Sequence, residues 1–549
     1  MDLRLDQAIG QKLLLSFTGT DLPEQMRALI ARRHIGGVTL FRMHNITEPA
    51  QVRRLTATVQ EVARAAGQDP LLIALDQEGG QLMAVEGGMT SFPGNLALGA
   101  TGSSELAYRA GYALGRELAA IGVNINYAPS CDVNSNPHNP VIGARSFGED
   151  PALVSRLSVA MVRGMQAAGV AATAKHFPGH GDTAEDSHYG TIVVPHDRER
   201  LRRVELPPFQ AVIEAGVKLV MTAHLAVPAY GGDNALPATL SPAILRGLLR
   251  GELGFDGVII SDAMRMEAIA QGPELAVDAL AAALAGVDLL LLNISPDLQA
   301  QVDAVLRQAA RRRLLDEEDL FASAERVYAL KRWIARQSQP SLEVVGAPEH
   351  VALAQEIADR SITLVRDDAG RLPLRLAPDA RVAVVVPRPV DLTPADTSSY
   401  VTCTLAARLR DYHPLVDEFL VEADPDQNSI AALRQRLVGY DTVVVGTINA
   451  TVQHGQAALV RALLADGLPL IAVALRTPYD LAAYPAAPTY LCAYSILEPS
   501  LHALARALLG HFPIVGRLPT SIPGLYPLGH GLVAQALPAQ QGVLHDIAR

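Results

Sequence analysis

Eight times between residues 13 and 293 the chain returns to a short apolar run. These are LLLSF (13–17), GGVTLF (36–41), LLIALD (71–76), NINYAPSCDV (124–133), AATAKHF (171–177), KLVMTAHL (218–225), GVIISDA (257–263) and DLLLLN (288–293). The stretches between, such as ELAYRAGYALGRELAAIG and PALVSRLSVAMVRGMQAAG, repeat their apolar residues at helical spacing. Strands this apolar are buried on both faces, and with helices between them they read as parallel βα units. Eight such units over about 330 residues predict an N-terminal (β/α)8 barrel with insertions.

At 549 residues the chain is too long for one hydrophobic core. Periodicity lapses around ARQSQPSLEVVGAPE, and a second α/β pattern begins with the helix HVALAQEIADRS. The strands ITLVRD, RVAVVVP, DTVVVGT, LPLIAVAL and TYLCAYS follow, which predict a smaller doubly wound α/β sandwich. The expected division is a barrel over 1–335, a linker over 336–349 and a C-terminal α/β domain over 350–549.

Composition narrows the function. With 49% hydrophobic and 19% charged residues this is an ordinary globular protein. A formal net charge of −11 argues against nucleic acid and anionic membrane surfaces as partners. Cys131, Cys403 and Cys492 are far apart, which excludes a disulfide framework and a thiolate zinc site. The N-terminal MDLRLDQAIGQKLLLSF does not read as a signal peptide, and no run of about 18 apolar residues marks a membrane span. A cytoplasmic location is the expectation. Oligomeric state is not legible.

In a barrel the strand C-termini face the functional pocket. Here they carry Asp76-Gln77-Glu78, Asp132, Lys175-His176, His224 and Ser261-Asp262. Asp262 reads in two ways: an N-cap for a helix over MRMEAIA, or a carboxylate able to attack an anomeric carbon. A retaining glycosidase also needs a proton donor, and KHFPGHGDTAEDSH (175–188) offers one in Asp186-Ser187-His188. The Asp186 carboxylate would favour the protonated imidazole of His188 and fix its tautomer. Pro178, Gly179 and Gly181 exclude regular structure between Lys175-His176 and that dyad, so His188 is expected on a loop. His176, His180, Asp182, Asp186 and His188 could instead ligate a metal. The Pro-Gly between the first two histidines breaks the helical register, and Lys175 would set a cation beside a cation. No catalytic metal and no cofactor are expected.

KHFPGHGDTAEDSH resembles the signature of glycoside hydrolase family 3 β-N-acetylglucosaminidases, the branch acting in peptidoglycan recycling. DQEGG (76–80), SCDVNSNPHNPVIGARSFGEDP (130–151), MTAHLAVPAY (221–230) and GFDGVIISDAMRM (254–266) match in order. SITLVRD and GRLPTSIPGLYPLGHG resemble its C-terminal domain. The resemblance implies Asp262 as nucleophile, Asp186–His188 as acid/base, and Asp76, Arg145, Lys175 and His176 as ligands of the sugar. His224 is either a pocket residue or a support behind it. For Arg145 the bland alternative is a surface salt bridge; Asp132 reads as a turn or cap. The family branch usually follows DQEGG with two arginines, where this chain has Gln81 and Ala84.

Aromatics are 5% of the chain with one Trp, Trp333, which suits a pocket for one terminal sugar better than a stacked polysaccharide cleft. The expected partner is thus a small saccharide, cleaved by a retaining exo-β-N-acetylglucosaminidase. A phosphorylase using the same residues is one alternative, because a neutral histidine leaves the second step less anionic than a glutamate would. A non-catalytic muropeptide sensor is another, which the altered DQEGG continuation permits.

Overall fold

Each of the eight apolar runs contributes one barrel strand: Leu13–Leu15 (β1), Gly37–Thr39 (β2), Leu72–Leu75 (β3), Ile125–Asn126 (β4), Ala171–Phe177 (β5), Leu219–Thr222 (β6), Val258–Ser261 (β7) and Leu290–Leu291 (β8). The computed structural model describes residues 3–185, 192–232, 235–266, 268–269, 275–292 and 294–537. The sheet runs β7-β6-β5-β4-β3-β2-β1-β8, and every pairing is parallel. Between β7 and β8, Ser261 N donates to Leu289 O and Leu289 N to Ile259 O, each at 3.0 Å, which brings the ends of the sheet together.

Side chains from all the strand regions but β2 fill the interior, among them Leu14, Ala74, Ile125, Met221, Ile260 and Leu291. Val327, Leu330 and Ile334 of the helix Glu317–Ile334 join that cluster. Three contacts fix which end this helix closes. Lys12 Nζ donates to Ser323 Oγ at 2.8 Å, Lys331 Nζ to Ile35 O at 3.5 Å, and Lys218 Nζ lies 5.4 Å from the Trp333 ring centre. Lys12, Ile35 and Lys218 all stand just before strands, so the helix seals the N-terminal end. The C-terminal end is left for chemistry.

Contacts divide the chain into Met1–Ala354 with Asp391–Ser398, and Gln355–Val390 with Ser399–Arg549. The stretch expected as a linker over 336–349 therefore lies inside the first unit. Arg53 Nη1 donates to Pro340 O at 3.0 Å and Gln339 Nε2 to Ala120 O at 3.3 Å, which ties it to the barrel. The second unit holds Thr363–Asp367 (β9), Val382–Pro387 (β10), Val416–Val421 (β11), Thr442–Thr447 (β12), Leu470–Ala474 (β13) and Thr489–Cys492 (β14). Their order is β9-β14-β13-β12-β10-β11, with only β9 antiparallel. Strand β11 was absent from the sequence reading because VDEFLV is an edge strand whose exposed acids interrupt the apolar run. Among the described residues no helix is long and apolar enough to cross a membrane.

Lys331 is buried in the barrel floor, and burial pushes its ammonium down to about 7, against a weaker opposing pull from Asp69. Because the folded value lies below the unfolded one, charged Lys331 destabilises the fold in full below pH 7, and the cost fades as pH rises toward 10.5. Lys331→Met should therefore raise the melting temperature at pH 6 by an amount that shrinks by pH 10, measured by thermal unfolding across pH.

Candidate active site

Strand β5 is buried throughout and carries Lys175 and His176 near its C-terminal end. Lys175 and His176, like Phe177 and Pro178, are joined by a cis peptide bond. Lys175 Nζ sits 2.6 Å from Asp76 Oδ1, just beyond β3, and 2.7 Å from Glu78 Oε1. The same Glu78 carboxylate takes Arg145 in a fork, Nη2 to Oε1 at 2.7 Å and Nε to Oε2 at 2.9 Å. Arg145 ends the short turn Gly143–Arg145, whose place is fixed by Asn95 Nδ2 donating to Arg145 O at 2.6 Å. At 4% exposure Arg145 is no surface ion pair, and that alternative is overturned.

The charges depend on one another. Burial alone would push the Glu78 carboxyl up, but Arg145 and then Lys175 outweigh it and hold it down to about 2. Burial likewise works against the Lys175 ammonium, yet Asp76 and Glu78 raise it above its ordinary value. Buried Glu78, Lys175 and Arg145 thus stay ionised because each has a partner of opposite charge.

Asp132 supports this group from behind. Fully buried, it meets His176 Nδ1 at 2.7 Å and accepts the His180 N–H at 2.7 Å and the Ser130 hydroxyl at 2.9 Å. Burial opposes its ionisation, but His176 and then His180 hold its carboxyl well below the usual range. Arg145 Nη2 lies 3.3 Å from His176 Nε2. Arginine can only donate, so that contact makes Nε2 the acceptor and leaves the proton on Nδ1, facing Asp132. The loop beyond passes close to the barrel: a Cβ on Gly181 would fall 1.8 Å from Val133 O, so only glycine fits.

Asp262 follows β7, half-buried, its N–H donating to Thr222 O at 3.2 Å and its Oδ1 accepting from Ala263 N at 2.7 Å. Of MRMEAIA, expected as a helix, the described residues 264–266 and 268–269 form turns and a bend, so among the described residues the N-cap reading has no helix to cap. His224 spans that turn from Thr239 Oγ1, 2.8 Å from Nδ1, to Ala263 O, 3.1 Å from Nε2, a supporting position. Burial drives the Tyr127 phenol far above its ordinary value, and Asp76 and then Asp262 add to that rise. One tyrosine in the barrel interior therefore feels both carboxylates. Asp186 and His188 lie outside the described residues.

A family model, the glycosyl hydrolase family 3 N-terminal domain, matches residues 4–330. The chain belongs to glycosyl hydrolase family 3. It is a glycoside hydrolase, and similarity to family members extends over both units. A β-hexosaminidase A from Pseudoalteromonas piscicida is 34% identical, with 95% of this chain and 97% of that protein aligned. A β-N-acetylglucosaminidase/β-glucosidase from Cellulomonas fimi is also 34% identical, over 69% of this chain and 67% of its own. Among solved structures, a family 3 β-N-acetylglucosaminidase from Paenibacillus sp. str. FPU-7 superposes with a TM-score of 0.89 at 40% identity, covering 94% of this chain and 99% of that one.

Sequence reasoning placed Asp76, Arg145, Lys175 and His176 together, and the structure gathers them in one network. Glu78, named in that reasoning at the end of a strand but given no role, joins them. The signal available was an acid two residues after Asp76, in DQEGG, facing two unmatched cations in later motifs.

Glu78→Gln would leave Arg145 and Lys175 sharing a buried neutral amide, which we expect to cost about 3–5 kcal/mol of stability at pH 7. Because the folded carboxyl titrates near 2 against 4.5 unfolded, its contribution is complete above pH 4.5 and lost as pH falls through 2. Urea unfolding of the two proteins should accordingly differ most at neutral pH and converge in acid.

Proposed function

We propose that this glycoside hydrolase is a retaining, exo-acting β-N-acetylglucosaminidase whose nucleophile is Asp262. The observation that carries the reading is the Asp262 carboxylate. It is half-buried just after β7, at the C-terminal end of the barrel, where Asp76 follows β3. The names of the similar proteins, β-hexosaminidase and β-N-acetylglucosaminidase, supply the sugar.

In the first step an Asp262 oxygen attacks C1 of the sugar and the C1–O bond to the aglycone breaks. His188, charged with the help of Asp186, gives its proton to the departing oxygen. In the second step water attacks C1, its proton passes to His188, and Asp262 leaves as a carboxylate. Asp76 has one oxygen held by Lys175 and is 27% exposed, so its other oxygen can accept from a sugar hydroxyl. Lys175, Arg145 and His176 complete that subsite, and His224 supports the turn bearing Asp262.

Exo action fits the aromatic inventory, since Trp333 belongs to the barrel floor and offers no platform at the mouth. The natural substrate is then a small N-acetylglucosaminyl saccharide, a muropeptide or chito-oligosaccharide, met in the cytoplasm.

Asp262→Ala should lower kcat/KM on an aryl β-N-acetylglucosaminide by at least about 1,000-fold while the protein still melts cooperatively. More than trace activity would sink the assignment. Running the wild-type assay with and without inorganic phosphate separates hydrolysis, which yields free sugar, from phosphorolysis, which yields sugar 1-phosphate.

A further inference from the structure

Asp182 closes the KHFPGHGD stretch, His196 precedes the helix Arg198–Arg203, and Glu205 follows it. Although 14 and 9 residues separate the first from the second and the second from the third, one ligand atom of each lies within 4.8 Å of the others. His196 Nε2 is hydrogen-bonded to Asp182 Oδ2. Arg200 Nε and Nη2 both reach Glu205 Oε1, each at 3.2 Å.

That leaves Glu205 Oε2. Glu205 is 2% exposed, and Oε2 is buried with no hydrogen-bond partner among the described residues. The side chain has little room to turn, because Gly179, at φ 129°, comes so close that a Cβ there would stand 2.8 Å from Glu205 Cβ. A latch of Asp182 Oδ2 to His196, with Arg200 Nη2 3.8 Å from the same oxygen and bonded to Glu205 Oε1, accounts for those atoms. It does not account for a buried carboxylate oxygen with nothing to accept from.

We propose that Asp182, His196 and Glu205 bind a divalent cation of the zinc type. One imidazole nitrogen and two carboxylate oxygens, with no thiolate, form a donor set for that ion with a fourth position for water. Arg200 on Oε1 then steadies a ligating carboxylate, as outer partners of metal ligands do. Asp182 and His196 are 21% and 24% exposed, which gives an ion access from solvent. Burial raises the Glu205 carboxyl above its ordinary value, with Arg200 only partly opposing, so protons compete with the ion and binding weakens in acid. The ion takes no part in the glycosidic reaction; it fastens residue 182 to residue 196.

Full-length protein stripped with a chelator and titrated with Zn2+ by calorimetry should take up one equivalent, and Co2+ should give a visible absorption band of bound imidazole and carboxylate. His196→Gln and Glu205→Gln should each weaken Zn2+ binding by at least about 100-fold and remove the Co2+ band. His188→Ala should leave both unchanged. Absence of a stoichiometric site, binding that survives the two substitutions, or binding lost with His188→Ala would each overturn the proposal. Should Glu205→Gln fail to fold, the more exposed His196→Gln decides. Hydrolysis of an aryl glycoside by the stripped protein is read separately, so a failed metal site leaves the assignment of Asp262 standing.

Discussion

The Glu78 carboxylate, shared at 2.7 Å between Lys175 and Arg145, is the contact on which the mouth of the barrel depends. Alone in a dry site the lysine would tend to shed its proton, and the arginine, which cannot, would pull in water. Three chain segments meet there: the short strand Gln77–Gly79 just beyond β3, the Gly143–Arg145 turn, and β5 itself. Their union is electrostatic, and its geometry is set by the arginine fork, which accepts a carboxylate in one orientation. An apolar contact would tolerate sliding between these segments. This one does not.

From that contact the remaining side chains take their places. Arg145 passes its outer nitrogen to His176, and Asp132 holds the other side of the ring while fixing the His180 backbone. Burial pushes His180 down to about 4, so its imidazole is neutral near pH 7. Asp76 is the one acid of the group that reaches solvent to any extent, at 27% exposure against 2% for Glu78. One carboxylate of the network thus faces solvent, while the buried members are paired with each other.

The barrel was legible in the sequence because strands covered on both faces have little choice but to be apolar, and helices between them little choice but to be amphipathic. Edge strand β11 escaped for the converse reason, as water on one side allowed Asp417 and Glu418 into it. At the site, residue types were readable and burial was not. Arg145 looks the same in sequence whether it lies on a surface or 4% exposed beside Glu78. The turn after Asp262 read as helix since MRMEAIA has good helix formers, but backbone bonds from Met264 N to Leu291 O and Asp262 N to Thr222 O bind it to the strands instead. Tertiary hydrogen bonds overrode local propensity there.

The two arginines that the family resemblance led one to expect after DQEGG are replaced in a way that the local packing explains. Ala84 is 5% exposed, so a guanidinium there would have to displace packed neighbours. Gln81 offers its carbonyl to both the N–H and the hydroxyl of Thr397, at 2.8 and 3.0 Å, and its amide to Ala395 O at 3.3 Å. Thr397 Oγ1 in turn accepts from Met83 N at 3.2 Å. Residues 81 and 83 are thus hydrogen-bonded to the segment Asp391–Ser398, which belongs to the first unit. Lys175 and Arg145 are each paired with a carboxylate of Asp76 or Glu78, so the network holds no unmatched cation.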